Sequence, residues 1–265
     1  MFNNIPTVKY LNTYFKTNSI YLNLLLIAIF LLVVVEIAIY FRPLKVLKKS
    51  IEKPNNKEFD IPNNIIKHNI NNYEVFEIFD ILTSEECDKL IELAKNKGLD
   101  NSVVLSYDNS KTTLDINHRK SKQTWFLDNY DPLFAKLSNI TATITKKPVE
   151  NQEMTQVAMY ETGGRFGAHF DACNSDDKIY CNEVNKNAGE RKATLLIYLN
   201  DNFEGGETEF TEINLKIKPK KGKGIYFINV DDNEVIYQLS MHKGNEITKG
   251  EKWIATKWTH FRQYN

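Results

Sequence analysis

The chain has 265 residues, with 34 basic and 34 acidic side chains and no formal net charge. That balance gives no support to a nucleic-acid partner held on a basic surface. Three cysteines (Cys87, Cys173 and Cys181) are too few for a disulfide scaffold. Cys173 and Cys181 could close a small loop in an oxidising compartment, with free thiols the equal alternative.

Residues 1–19 read as an N-terminal tail. Residues 20–41 are apolar apart from Asn23, Glu36 and two tyrosines. As a helix this stretch reaches about 33 Å, enough to cross a bilayer core of about 30 Å. Tyr21, Tyr40 and Phe41 stand where interfacial aromatics belong. No small-residue cleavage site follows, so the segment is expected to be an uncleaved transmembrane signal anchor. Lys9 and Lys16 precede it; Arg42, Lys45, Lys48, Lys49 and Lys53 follow. By the positive-inside rule alone, the C-terminal part would face the cytosol. Residues 42–72, with three prolines and repeated Asn pairs, read as a linker.

One folded domain is expected from Tyr73 to the end. Tyr73 to Ile81 has the texture of a strand. Thr83 and Glu86 form a capping box ahead of a helical face of Cys87, Leu90, Ile91 and Ala94, and Gly98 stops that helix. Asp131 and Pro132 open a second helix running to Lys146. Residues 73–150 are thus helical support, and residues 151–265 are short strands with Gly-rich turns. The expected strands are Met154–Tyr160, Ala168–Asp171, Ala193–Leu199, Glu207–Phe210, Leu215–Ile217, Gly224–Asn229, Gln238–His242 and Lys252–Arg262. This is an α+β chain whose C-terminal half is a β-barrel or jelly-roll sandwich.

The chemistry concentrates in His169, Asp171 and His242. Side chains at i and i+2 of a strand share a face, so His169 and Asp171 converge. A distant His completes the 2-His-1-carboxylate set that binds Fe(II) and leaves positions open. His-x-Asp alone would be a surface strand pair; the added His and Lys252 raise the joint signal. Lys252, Ile254, Thr256 and Trp258 share one strand face. A lysine among apolar neighbours is costly unless it meets an anion, such as the far carboxylate of a chelating co-substrate. Thr194, Leu196 and Tyr198 share a face of another strand, and Tyr198 could add a hydrogen bond to that carboxylate. Tyr160 could contact the co-substrate or order the ligands. For both tyrosines, a buried ring whose hydroxyl finds a local partner is the rival. His68, His118 and His260 read as surface or packing residues. Arg165 and Arg191 stand near the expected mouth.

Several stretches resemble the prolyl 4-hydroxylases. Gln156-Val157-Ala158-Met159-Tyr160 and His169-Phe170-Asp171-Ala172-Cys173 resemble the entry to that family's metal site. Arg191 to Asp201 and Glu204 to Phe210 resemble its central strand and following turn. Pro219 to Gly222 and Gly250 to His260 resemble its closing region. Ser84 to Asp88 and Arg119-Lys120-Ser121 fit as well. The resemblance is to compact plant, algal or viral single-chain members. It implies a double-stranded β-helix (jelly-roll) core with flanking N-terminal helices, using Fe(II), 2-oxoglutarate and O₂, with ascorbate keeping iron reduced. It carries over His169, Asp171 and His242 as iron ligands and Lys252 as carboxylate anchor; Tyr160, Tyr198 and Thr194 are expected beside the co-substrate from their strand positions alone. A proline-rich or collagen-like protein substrate is implied, as is an endoplasmic reticulum or Golgi lumenal domain. Asn139-Ile140-Thr141 is a glycosylation sequon in keeping with a lumenal domain. Around the distal His, the family's Leu-His-Ala-Gly-Cys-Pro-Val is Met241-His242-Lys243-Gly244-Asn245-Glu246-Ile247 here, which puts the peptide groove in question. The rival readings are another 2-oxoglutarate-dependent protein hydroxylase, acting for example on lysine, and a non-catalytic binding domain.

Overall fold

The computed structural model describes residues 64–102, 104–106, 111–113, 117–174 and 178–264. The expected anchor at 20–41 and the first part of the linker lie outside them. No helix among the described residues is long and apolar enough to cross a membrane.

In chain order the strands are β1 (Ile65–Ile70), β2 (Tyr73–Ile78), β3 (Asp100–Asn101), β4 (Val104–Ser106), β5 (Lys111–Thr113), β6 (Arg119–Lys120), β7 (Lys122–Phe126), β8 (Thr155–Tyr160) and β9 (Arg165–His169). They continue as β10 (Arg191–Tyr198), β11 (Glu204–Gly205), β12 (Thr208–Phe210), β13 (Leu215–Ile217), β14 (Gly224–Ile228), β15 (His242–Gly244), β16 (Ile247–Lys249) and β17 (Lys252–His260). Helices α1 (Ser84–Lys97) and α2 (Pro132–Thr145) precede β8, and the short α3 (Lys178–Val184) follows β9.

Two antiparallel sheets dominate. The major sheet runs β1-β2-β14-β10-β17-β8-β7-β3 and the minor sheet β13-β12-β15-β9-β6. From β8 onward the chain passes back and forth between them: β8, β10, β14 and β17 join the major sheet, and β9, β12, β13 and β15 the minor one. This crossing is the wiring of a jelly roll.

Strand alternation builds the core in two layers. On β10, Leu195 and Ile197 point to one side, and on β17 Trp253 and Ala255 do the same. They pack with Leu90 and Ala94 of α1 and with Phe134 and Leu137 of α2. Leu196 and Tyr198 of β10 and Ile254 of β17 point the other way, to meet Phe210 and Ile217 of the minor sheet. Every residue of β17 is buried, because both faces of that strand are covered.

The helix boundaries follow from capping. Thr83 Oγ1 accepts from the Glu86 N–H and the Glu86 carboxylate accepts from the Thr83 N–H, and Gly98 ends α1 at φ 90°. The Asp131 side chain accepts from the Leu133 N–H, with Pro132 in the first turn of α2.

Three expectations are corrected. The second part of the predicted linker is β1, which pairs with β2 from Ile65↔Ile78 to Ile70↔Tyr73. The Asn71-Asn72 pair that suggested a linker is the hairpin turn, with both residues at positive φ (53° and 63°), as a two-residue type I′ turn requires. The strand carrying His169 stops at that residue, so Asp171 lies beyond it. Gln238–Ser240 is a 3₁₀ turn rather than a strand, and His242 begins β15 instead of ending a strand.

Candidate active site

The two histidines are brought together by the ladder. β9 and β15 are neighbours in the minor sheet, and His242 stands opposite His169 in the register. Their ring centroids are 4.3 Å apart. His169 Nδ1 lies 2.8 Å from the Gly167 carbonyl and His242 Nδ1 2.9 Å from the Ser240 carbonyl. A carbonyl only accepts, so each Nδ1 carries a proton, which in the neutral imidazole leaves Nε2 as the metal-binding atom. Those Nε2 atoms lie 3.5 Å and 3.9 Å from the two carboxylate oxygens of Asp171. One ligand atom from each of the three residues falls within 4.8 Å of the others. Two imidazoles and a carboxylate at this separation fit a divalent first-row metal.

The packing fixes these groups. Phe166 stacks on His169 with centroids 3.6 Å apart, while Phe227 and Phe210 flank His242. Burial, then the neighbouring His169, push the His242 imidazole down to about 4, against the pull of Asp171. It is therefore neutral near pH 7, the metal-binding form. Burial opposes ionisation of Asp171, but His242 and His169 beside it hold its carboxyl well below the usual range. Thr194 donates to Asp171 Oδ2 at 2.6 Å, and Asn229 donates to Thr194 Oγ1 at 2.9 Å.

A pocket adjoins the cluster, lined also by Arg119, Gln156, Tyr160, Thr208, Lys252 and Trp258. Lys252 is 3% exposed. Its ammonium donates to the Gly206 carbonyl at 2.6 Å, which leaves two of its three N–H donors for another acceptor. Burial pushes it down to about 7, with Glu207 pulling the other way. Such a group calls for an anion in the pocket. Gly206 makes room for it: a Cβ there would fall 2.4 Å from Ile247 Cδ1 and 3.2 Å from Lys252 Cδ, and its φ is +71°.

The remaining sequence candidates separate. Tyr160 pairs with Lys252 across β8 and β17 and lines the pocket, and its hydroxyl makes no hydrogen bond among the described residues. Tyr198 is fully buried, and its hydroxyl is 2.7 Å from Thr208 Oγ1 and 3.4 Å from the Ile217 carbonyl. It supports a pocket wall rather than presenting its hydroxyl to the pocket. Thr194 serves Asp171. Arg191 is held by Glu153 and lies 4.1 Å over the Trp258 ring, with Nη1 donating to the Asp171 carbonyl at 3.2 Å. His260 is fully buried, against Glu153 and the Gly189 carbonyl, rather than at the surface. Arg165 bonds the Asn117 carbonyl and faces Glu246. Burial works against the Glu153 carboxylate, yet Arg191 and His260 bring it down to about 2.

Sequence reasoning missed Arg119, Gln156 and Phe166. Arg119 is buried, donates to Ser121 Oγ and Gln156 Oε1, and lies 4.6 Å over the Phe166 ring. Period-two alternation along β8 places Gln156 beside Tyr160 and could have found it. Arg119 lies on a two-residue strand with no alternation to read, and its triplet entered only through the resemblance, with no role attached. Among the described residues a second cluster, Cys173, Cys181 and Glu190, also falls within 4.8 Å, but its sulfurs are bonded to each other.

A jelly roll with this donor set defines the class, and residues 155–260 match the family model of the 2OG-Fe(II) oxygenase superfamily. The chain is 33% identical over 213 residues to prolyl 4-hydroxylase 2 of Arabidopsis thaliana, covering 72% of this chain and 68% of the relative. It is 30% identical over 191 residues to a putative prolyl 4-hydroxylase of Acanthamoeba polyphaga mimivirus, covering 72% and 75%. Among solved structures it is similar to the viral collagen prolyl hydroxylase of Paramecium bursaria Chlorella virus-1 in its 2OG complex. There the TM-score is 0.56, with 33% identity over 69% of this chain and 94% of that one. The chain belongs to the prolyl 4-hydroxylase family.

Proposed function

We propose that this chain hydroxylates C4 of proline in proline-rich or collagen-like segments, with His169, Asp171 and His242 holding Fe(II) and Lys252 gripping the far carboxylate of 2-oxoglutarate. The observation that carries this reading is the shared pocket. One wall presents two imidazole Nε2 atoms and a carboxylate, and another presents a buried lysine with no carboxylate paired to it among the described residues. When bound, Fe(II) and 2-oxoglutarate supply the activation of O₂, with one oxygen going to the proline and succinate and CO₂ released.

The protein's own part is positioning and exclusion. The Gly167 and Ser240 carbonyls fix both imidazole tautomers, and Thr194 fixes the carboxylate. Tyr160 stands beside Lys252 with a hydroxyl for the same co-substrate. Leu196 and Ile254 keep the pocket wall apolar, which strengthens the grip of Lys252 on an anion. An extended proline-rich peptide is already close to its bound polyproline conformation, which lowers the ordering cost. Ascorbate would keep the iron reduced.

A lumenal, membrane-anchored placement is part of this proposal. The Cys173–Cys181 disulfide supports an oxidising compartment. The flanking lysines argue against it, and the sequon lends little weight. It lies within α2, with Thr141 buried and its hydroxyl bonded to the Leu137 carbonyl, where an acceptor site needs a surface loop. Protease protection of the domain in microsomes tests the placement.

The activity test incubates the purified full chain with Fe(II), 2-oxoglutarate and collagen-like or polyproline peptides. The expected result is a mass gain of one oxygen on proline, with equal succinate release. The same gain on lysine would replace this reading with a lysyl hydroxylase, and no co-substrate turnover would leave only a binding domain.

A further inference from the structure

Asp171 is the one member of the iron-binding cluster that lies outside a strand. His169 closes β9 and His242 opens β15, so ladder pairing fixes both backbones. Asp171 lies two residues past the end of β9, and α3 does not begin until Lys178. Its position therefore rests on contacts made one at a time. Thr194 holds a carboxylate oxygen and Arg191 holds the main-chain carbonyl. Two residues further on, the Cys173 N–H donates to Glu190 Oε2 at 2.9 Å, and Cys173 is bonded to Cys181 of α3. That helix is seated by the buried side chains of Tyr180 and Cys181. The segment after it is tied to the C-terminus through the Arg262 N–H and the Ala188 carbonyl.

We propose that the Cys173–Cys181 disulfide is a redox-sensitive brace for Asp171. Intact, it ties the segment bearing the carboxylate to α3 and holds the metal-binding geometry; reduced, the segment loosens and metal affinity falls. The inference rests on the reading of His169, Asp171 and His242 as the iron site. Reduction is a two-electron exchange with a dithiol. A thiolate attacks one sulfur and the S–S bond breaks through a mixed disulfide. Cys173 and Cys181 each end with a proton, and the reductant leaves as its own disulfide. Catalytic groups are not altered by this step; only the tether between Asp171 and α3 is.

The test measures Mn(II) binding to the full chain by the electron paramagnetic resonance of free Mn(II). Mn(II) favours carboxylate and imidazole over thiolate, so freed cysteines do not compete for it. Three forms are compared: the oxidised protein, the protein reduced by a water-soluble phosphine, and the C173S/C181S variant. The phosphine gives up two electrons and takes oxygen from water, and it leaves no thiol to chelate the metal. The expected result is affinity weakened about tenfold in the reduced protein and in the variant, as for loss of an outer-shell support. Reoxidation should restore it in the wild type only. Equal affinity in all three forms overturns the brace. So does a loss of binding that coincides with loss of the near-ultraviolet circular dichroism of the folded core, since the effect is then global. Failure of the oxidised wild type to bind Mn(II), or D171N binding it as tightly as wild type, removes the iron-site reading instead.

Discussion

The two faces of the major sheet are made by the same strands and do different work. Toward the helices, β10 and β17 present Leu195, Ile197, Trp253 and Ala255, part of an apolar layer with α1 and α2. Toward the minor sheet they present Thr194, Leu196, Lys252, Ile254, Thr256 and Trp258, all lining the pocket. Because the side-chain period is two, one strand carries stability on odd positions and chemistry on even ones. The difference shows that burial alone does not mark a core residue. Lys252 is as buried as Trp253, yet among the described residues its amine hydrogen-bonds only the Gly206 carbonyl, while Trp253 is packed among apolar groups.

The largest expected effect breaks the chemical face alone. His242→Ala removes one of three donors and should abolish succinate release and peptide hydroxylation. Its thermal unfolding midpoint should move by only a few degrees in the metal-free protein. Turnover close to wild type would end the assignment of His242 as a ligand.

The opposite substitution breaks the structural face. Leu195→Ala empties a fully buried site between the sheet and the helices and should cost about 2–5 kcal/mol of stability. Metal affinity per folded molecule should stay within about twofold, since the cavity lies on the far side of β10. Denaturant unfolding and Mn(II) titration below the transition check both halves. A large loss of metal affinity in the folded variant would mean that the two faces are coupled through the strand.

How far the sequence speaks follows the same division. Helix ends were legible because capping is local: Thr83, Glu86, Gly98, Asp131 and Pro132 each act within a few residues. The even face of β17 was legible because alternation over nine residues leaves little choice of phase. What was hidden is non-local or short. The hairpin turn at Asn71-Asn72 looks like linker composition until β2 is known to pair backward. The end of β9 at His169 is set by its partner strands and not by its own residues. Arg119 owes its place to Ser121, Gln156 and Phe166, the last two brought in from elsewhere in the chain. The hydroxyl of Tyr198 is on the face the alternation predicts, yet Thr208 and Ile217, both on the minor sheet, decide what it bonds.

A third, smaller effect is a pH dependence of the chemical face. Burial pushes the Lys252 ammonium down to about 7 in the co-substrate-free protein. A carboxylate bound beside it favours the protonated form and raises that value again. Binding of 2-oxoglutarate should therefore take up a proton above about pH 7. Affinity should be highest below that pH and fall by up to tenfold per unit as pH rises, until the raised value in the complex is reached. The sign for stability is the reverse. The unfolded lysine holds its proton to about 10.4 while the folded one releases it near 7, so between these limits this group's contribution to stability grows with pH. The KM for 2-oxoglutarate measured from pH 6 to 9 checks the first part. Lys252→Arg keeps its charge throughout and should flatten the profile even where its overall affinity is poorer. A flat wild-type profile would mean that Lys252 does not meet the co-substrate.

The smallest effect separates two roles for one tyrosine. If Tyr198 gave its hydroxyl to the co-substrate carboxylate, Tyr198→Phe would raise the KM for 2-oxoglutarate by about ten- to a hundredfold, the worth of a hydrogen bond to a charged group. The structure assigns that hydroxyl to Thr208 and the Ile217 carbonyl, across the gap between the two sheets. Its removal should then cost about 1 kcal/mol of stability and leave the KM within about twofold. The ring itself stays in place, with the Lys252 ammonium 5.3 Å from its centroid, so the substitution tests the hydroxyl alone. Parallel measurement of the unfolding free energy and the KM in Tyr198→Phe and Tyr160→Phe is the sharpest form of the test. Tyr160, beside Lys252 and with its hydroxyl unbonded among the described residues, should show the complementary pattern: little change in stability and a raised KM.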